Sequence, residues 1–199
     1  MSPSQLFDGI REVIQSPKLL ATWILVCGVG VLFIGPFMVV LPLMVRDVYL
    51  RGAVEIALIS AAFPLGTVSG SVWVMRRGGI RNLMTAQWIA LSCAATVLMV
   101  IATGLPFWGV LVGIYVWGLF GAVFMIAGRT LFQQYASPAN RGRVLAAYTM
   151  GFMGAAGMFG APISAALTRE IGPQGALFAL GFIMLVLVAV VMFRSRSDA

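Results

Sequence analysis

The sequence predicts an all-α, polytopic membrane protein, a bundle of six transmembrane helices. Three observations carry that prediction. Hydrophobic residues make up 61% of the 199 residues and charged residues only 10%, against roughly 25% charged in an ordinary soluble domain. The charges fall in short clusters, and each apolar run between them is long enough to cross a bilayer as helix, which takes about 20 residues. Alternation of period two is absent, so a membrane β-barrel is excluded, and helix is the remaining way to pair backbone groups in lipid.

The chain opens with a lead-in, residues 1–18. Ser2 is placed to cap a helix and Pro3 to occupy its first position. Leu6, Ile10, Val13 and Ile14 recur at helical spacing, with Asp8, Arg11, Glu12 and Gln15 on the other face. This predicts a short amphipathic helix at the membrane surface, ended by Pro17. A flexible leader is the competing reading.

Six spans follow: 19–45, 53–75, 83–103, 106–128, 144–168 and 175–193, with 194–199 as a tail. The first is interrupted by Pro36 and Pro42, each of which removes a backbone donor and bends a helix. Ala21, Gly28, Gly35 and Pro42 form a small-residue stripe along it, and Ala62, Gly66 and Gly70 do the same on the second span. The fourth carries Gly109, Gly113, Gly118, Gly121 and Gly128, while the third has no glycine and the sixth none after Gly181. The first, second, fourth and fifth spans are therefore expected to form the packed interior, with the third and sixth peripheral. Trp23, Trp73, Trp108 and Tyr148 lie near span ends, as in an interfacial belt. Trp117 is mid-span, where packing and ligand contact are both open to it.

The fifth span holds GFMGAAGMFGAP, with glycine at Gly151, Gly154, Gly157 and Gly160. A three-residue step falls about 60° short of a full turn, so these glycines sweep roughly half the helix circumference. Glycine costs a soluble helix up to about 1 kcal/mol relative to alanine, but in lipid close backbone approach is what holds helices together. Two readings stand: tight packing, or a smooth face at a moving interface or substrate path.

The basic residues sort by side. Arg11, Lys18, Arg76, Arg77, Arg81, Arg129, Arg141, Arg143, Arg194 and Arg196 fall on the side of the N-terminus, and only Arg46, Arg51 and Arg169 on the other. This bias places both termini in the cytoplasm. It accounts for the net charge of +7 as a topology signal rather than a nucleic-acid surface.

Catalytic chemistry is not visible. Histidine is absent, Cys27 and Cys93 sit in apolar runs as small hydrophobes, and no metal-ligand or cofactor motif occurs, so no enzyme activity, cofactor or metal is expected. A buried acid would mark proton coupling, yet Glu55 alone comes near a span, and an interfacial place beside Arg51 fits it.

Three stretches together resemble the second half of major facilitator superfamily transporters, in their drug- and siderophore-exporter-like branch. FDGIREVIQSPKLL resembles the segment leading into the seventh helix of that family. GRTLFQQYASPANRGRVLAAY is similar to its loop between the tenth and eleventh helices. GSVWVMRRGGIRNL resembles a degenerate Gly-x-x-x-Asp-Arg-x-Gly loop that keeps Arg76, Arg77, Gly78 and Arg81 but lacks the aspartate. Gly157, Ala161, Pro162, Ala165 and Ala166 faintly resemble the exporters' Gly-Pro signature.

The resemblance implies half of a transporter fold, its six spans matching helices seven to twelve. It further implies a secondary exporter in the cell's inner membrane that rocks two halves about a central site. The missing wall would be a complementary six-helix half or a second copy of the chain. The substrate path would draw on Ser60, Thr67, Tyr115, Trp117, Met125 and Met153, a lining that suits an apolar or amphiphilic small molecule. Arg76, Arg77, Arg81, Arg129, Arg141 and Arg143 would form a cytoplasmic gate or, alternatively, anchor to lipid phosphates. Gly28, Gly35, Pro36, Gly66, Gly70, Pro162 and the four glycines of the fifth span would serve packing and hinge motion. A scaffold that kept the half-fold without transport, or an inactive fragment, is the other reading.

Overall fold

The computed structural model describes residues 3–138 and 140–197, with side chains for 9–138 and 140–195. Helices dominate, and no strand occurs among the described residues. The lead-in helix covers Pro3–Gln15; its expected cap, Ser2, and the side chains of Leu6 and Asp8 lie outside the described residues. Five helical stretches are long and apolar enough to cross a membrane: Pro17–Asp47, Ala53–Arg76, Leu83–Ala102, Phe107–Tyr135 and Arg141–Ser195.

The last of these is two spans. Gly172 has φ 73° and ψ 168° inside it, and Phe152, Ala156, Met184 and Leu187 all lie within contact distance of Gly28 and Gly30. In a straight helix Ala156 and Leu187 would stand roughly 46 Å apart, so the chain turns back at Gly172. The path therefore has six spans, the fifth over 141–171 and the sixth over 173–197. Helix continues through Ser197, so the expected tail from 194 onward is an extension of the sixth span as far as it is described.

Close contacts fix the arrangement. The second and fourth spans run parallel, Gly66 against the Tyr115 carbonyl and Gly70 against that of Leu119. The first and fifth also run parallel, Gly151 against Trp23 and Cys27, Gly160 against the Gly30 carbonyl. The third lies antiparallel to the fourth, Gly113 on Ile101, and to the sixth, Gly181 on the Ala95 carbonyl. Exchanging spans one to three with four to six maps these contacts onto one another and inverts the direction through the membrane, an inverted-topology repeat.

This corrects the expected layering. The third and sixth spans are not peripheral, because Ala94, Ala95, Leu98, Leu180 and Met184 are fully buried where they meet. The second span is the most open, with Val54, Leu65, Val68 and Met75 all more than half exposed. Glycine content marks close approach to one neighbour and says little about how many neighbours a helix has.

Prolines shape the first and fifth spans alike. A proline ring clashes with the carbonyl four residues back, and the preceding turn widens in response. Gly35, before Pro36, donates to the Gly30 carbonyl five residues back; Ala161, before Pro162, donates in the same way to Ala156. The two widened turns, Gly30–Ile34 and Ala156–Gly160, sit against each other where the helices cross.

The lead-in helix is docked rather than loose. A Cβ on Gly9 would stand 2.7 Å from the Arg143 carbonyl. The Glu12 carboxylate accepts from the Ser137 N–H at 2.7 Å, the Ser137 hydroxyl at 3.1 Å and the Asn140 amide at 2.8 Å. It thereby satisfies the loop between the fourth and fifth spans. Burial raises the Glu12 pKa, but the bonds from Ser137 and Asn140 outweigh it and hold the carboxyl below its usual range.

A carboxylate with a lowered folded pKa contributes stability above its unfolded pKa and loses it as pH falls through the folded one. Docking of the lead-in helix is thus expected to be tightest at neutral pH and to weaken as pH falls through and below the ordinary glutamate range. Hydrogen exchange of the Ser137 amide and the amides at 140–143 measures it. Glu12→Gln should weaken protection by about 1 kcal/mol, the solvent-reachable end of the range for charged bonds, and remove its pH dependence. A loop equally protected in the variant at all pH values would show that Glu12 does not hold it.

Candidate functional site

The centre of the bundle is aromatic. Trp117 is buried and packs edge-on against Phe33 at 5.5 Å, Phe37 at 5.9 Å and Phe63 at 5.1 Å between ring centroids. Three spans supply this cluster because their small residues, Gly66 and Gly118 above all, let the backbones approach. Beside it lies a cavity of about 50 Å³, bordered by Phe33, Leu91, Trp117, Met125 and Phe152. An apolar lining of this kind stays dry and takes an apolar group rather than water.

Of the substrate-path candidates, the structure brings together only Trp117 and Met125. Ser60 is exposed and donates to the Ile56 carbonyl at 2.9 Å; Thr67 donates to Phe63 at 3.0 Å. Both hydroxyls are satisfied within their own helix, as serine and threonine commonly are. Tyr115 contributes its carbonyl to the Gly66 contact. Met153 points away from the bundle, 60% exposed.

The four glycines of the fifth span divide. Gly151 and Gly160 are pressed against the first span, while a Cβ on Gly154 or Gly157 would meet nothing within 4 Å. These two glycines, with exposed Met150, Met153, Met158 and Phe159, form a smooth apolar face that no other part of the described chain covers.

The arginines gather at one end. Gln87 at the start of the third span lies by Gly128 and Tyr148, and Trp23 donates to the Ala147 carbonyl at 3.0 Å. This sets the starts of the first, third and fifth spans beside the end of the fourth. Gly78 and Gly79, at φ 75° and 96°, make the tight turn that carries Arg76, Arg77 and Arg81; Arg77 lies over the Trp73 ring at 5.0 Å. No ion pair reaches Arg76, Arg77, Arg81, Arg129 or Arg141 among the described residues. Arg143 donates to Asn140 at 3.0 Å. At the other end Glu55 accepts from Gly52 at 3.1 Å and Arg51 at 3.4 Å, an interfacial arrangement as its sequence position suggests.

Two of the four expected interfacial aromatics turn toward the protein. Tyr148 is buried, and Trp23 turns inward to its bond with Ala147. Sequence reasoning also passed over Gln87, which is fully buried with neither amide atom partnered, near the equally unpartnered Tyr148 hydroxyl. A lone glutamine inside the apolar third span was the available signal. No cluster of metal-ligating side chains occurs among the described residues.

Comparison with protein families, with curated proteins and with solved structures gives no match to this chain.

Proposed function

We propose that this chain is one half of a secondary active transporter, of the major facilitator type its loops resemble, exporting apolar or amphiphilic small molecules. It is not an enzyme on this reading and uses no cofactor. The carrying observation is the uncovered backbone at Gly154 and Gly157, flanked by Met153 and Met158. Lipid gains little from bare backbone, whereas a facing helix or a passing apolar molecule gains close approach. The missing wall is a complementary six-helix half or a second copy, placed with the arginine-rich ends together on the cytoplasmic side.

Two further features support rocking of one half against another. The proline-widened turns of the first and fifth spans weaken the helix ladder at their crossing and concentrate bending there. Arg76, Arg77, Arg81, Arg129 and Arg141, which have no ion pair among the described residues, sit where gate contacts with the other half would form. If transport is proton-coupled, the coupling acid belongs to that other half, since Glu55 is engaged at the interface with Arg51 and Gly52.

A cysteine introduced at position 157, with Cys27 and Cys93 replaced by serine, tests the wall directly. Thiol crosslinking in native membranes is expected to yield one discrete larger species, and Gly157→Trp is expected to stop efflux of an amphiphilic dye. Labelling of that cysteine by a lipid-phase reagent with no crosslinked species, and unchanged dye efflux in Gly157→Trp, would refute the reading and leave a bare membrane scaffold.

A further inference from the structure

An open groove of about 690 Å³ lies where the lead-in helix meets the first and sixth spans, within the size range of small-molecule sites. Lys18, Tyr135 and Arg194 stand on its rim, and Leu20, Ile24 and Val191 on its walls. No carboxylate lines it among the described residues.

The two cations are held differently. Lys18 donates to the Tyr135 hydroxyl at 3.0 Å and sits 4.8 Å from the ring centroid. That contact fixes the ammonium at the groove and leaves two of its three N–H donors free. Arg194 makes no hydrogen bond or ion pair among the described residues. Lys18 stands at the start of the first span and Arg194 just after the apolar run of the sixth, positions that in a bilayer correspond to the level of the lipid phosphates. The apolar wall begins two residues deeper on the first span, at Leu20, and three on the sixth, at Val191, and Ile24 there is 38% exposed.

We propose that this groove binds an acidic phospholipid, its phosphate between Lys18 and Arg194 and the upper part of one acyl chain along Leu20, Ile24 and Val191. A free anion would engage the cations and leave that wall uncovered, and a neutral lipid would leave two positive charges uncompensated. The inference needs only that the spans cross a bilayer, so it stands or falls separately from transport.

The test is lipid retention by the purified full chain, read by native mass spectrometry after exchange into mixed phosphatidylglycerol and phosphatidylcholine. One phosphatidylglycerol is expected to remain bound in preference to phosphatidylcholine. Lys18→Gln and Arg194→Gln should each weaken its retention about fivefold, and the pair about twentyfold, from the usual contribution of a basic residue at a membrane surface. Arg76→Gln with Arg77→Gln removes the same charge at the same end of the bundle and should leave retention unchanged. Equal loss in both double variants would reduce the effect to general surface charge. Absence of preference over phosphatidylcholine, or displacement of the lipid by inorganic phosphate alone, would overturn the assignment.

Discussion

Gly118→Val is expected to be among the most damaging single substitutions in the bundle, lowering stability by more than about 3 kcal/mol. A Cβ on Gly118 would overlap the Phe63 carbonyl oxygen and stand 3.1 Å from the Gly66 Cα. Both obstacles are backbone in a parallel helix, so no rotamer change relieves them, and the second and fourth spans must separate. Overpacking of a core by a methyl or two typically costs about 1–3 kcal/mol where side chains can adjust, and here they cannot. Separation would also open the cluster around Trp117, and loss of helical circular dichroism on denaturant unfolding in detergent measures the cost. Gly121→Ala is the control, because its Cβ meets the tip of the Phe63 ring at 3.3 Å, a contact that a small ring shift accommodates. A Gly118→Val protein as stable as the parent would mean that the second and fourth spans do not pack as described.

The fifth span should give opposite signs within one run of four glycines. Gly160→Val meets the Gly30 carbonyl at 2.8 Å and Val31 at 3.1 Å, and Gly151→Val meets the Trp23 indole nitrogen at 2.6 Å. Each is expected to cost about 2–3 kcal/mol or more by forcing the first span away. Gly154→Ala and Gly157→Ala meet nothing within 4 Å, and reduced freedom of the unfolded chain should stabilise each by about 0.4–1 kcal/mol. Melting of the four variants in one detergent checks the pattern. Uniform destabilisation would place all four glycines in contacts within the chain and remove the uncovered face on which the proposed partner docks.

The lead-in helix shows how little of such an interplay is written locally. Its amphipathic pattern is plain in the sequence, and so is the polar segment SPANRGR. That Glu12 reaches across to Ser137 and Asn140 follows only from the path of four intervening spans. The same holds for Lys18 and Tyr135, 117 positions apart. Gln87 and Tyr148 illustrate the converse: each looks unremarkable where it stands, and together they make a buried polar pair without partners.

Composition and periodicity alone determined that the chain is helical, with several helices long and apolar enough to cross a membrane, because that reading runs along one dimension and depends on length and apolarity. They also located the proline bends and the arginine clusters. What the tertiary structure alone decided is rotation: which glycine meets a neighbour, which aromatic turns inward, and which pairs of spans run side by side. A helix that is apolar all round has no polar face to orient it, so its contacts are chosen by shape complementarity among distant segments, and shape of that kind exists only once the spans are packed.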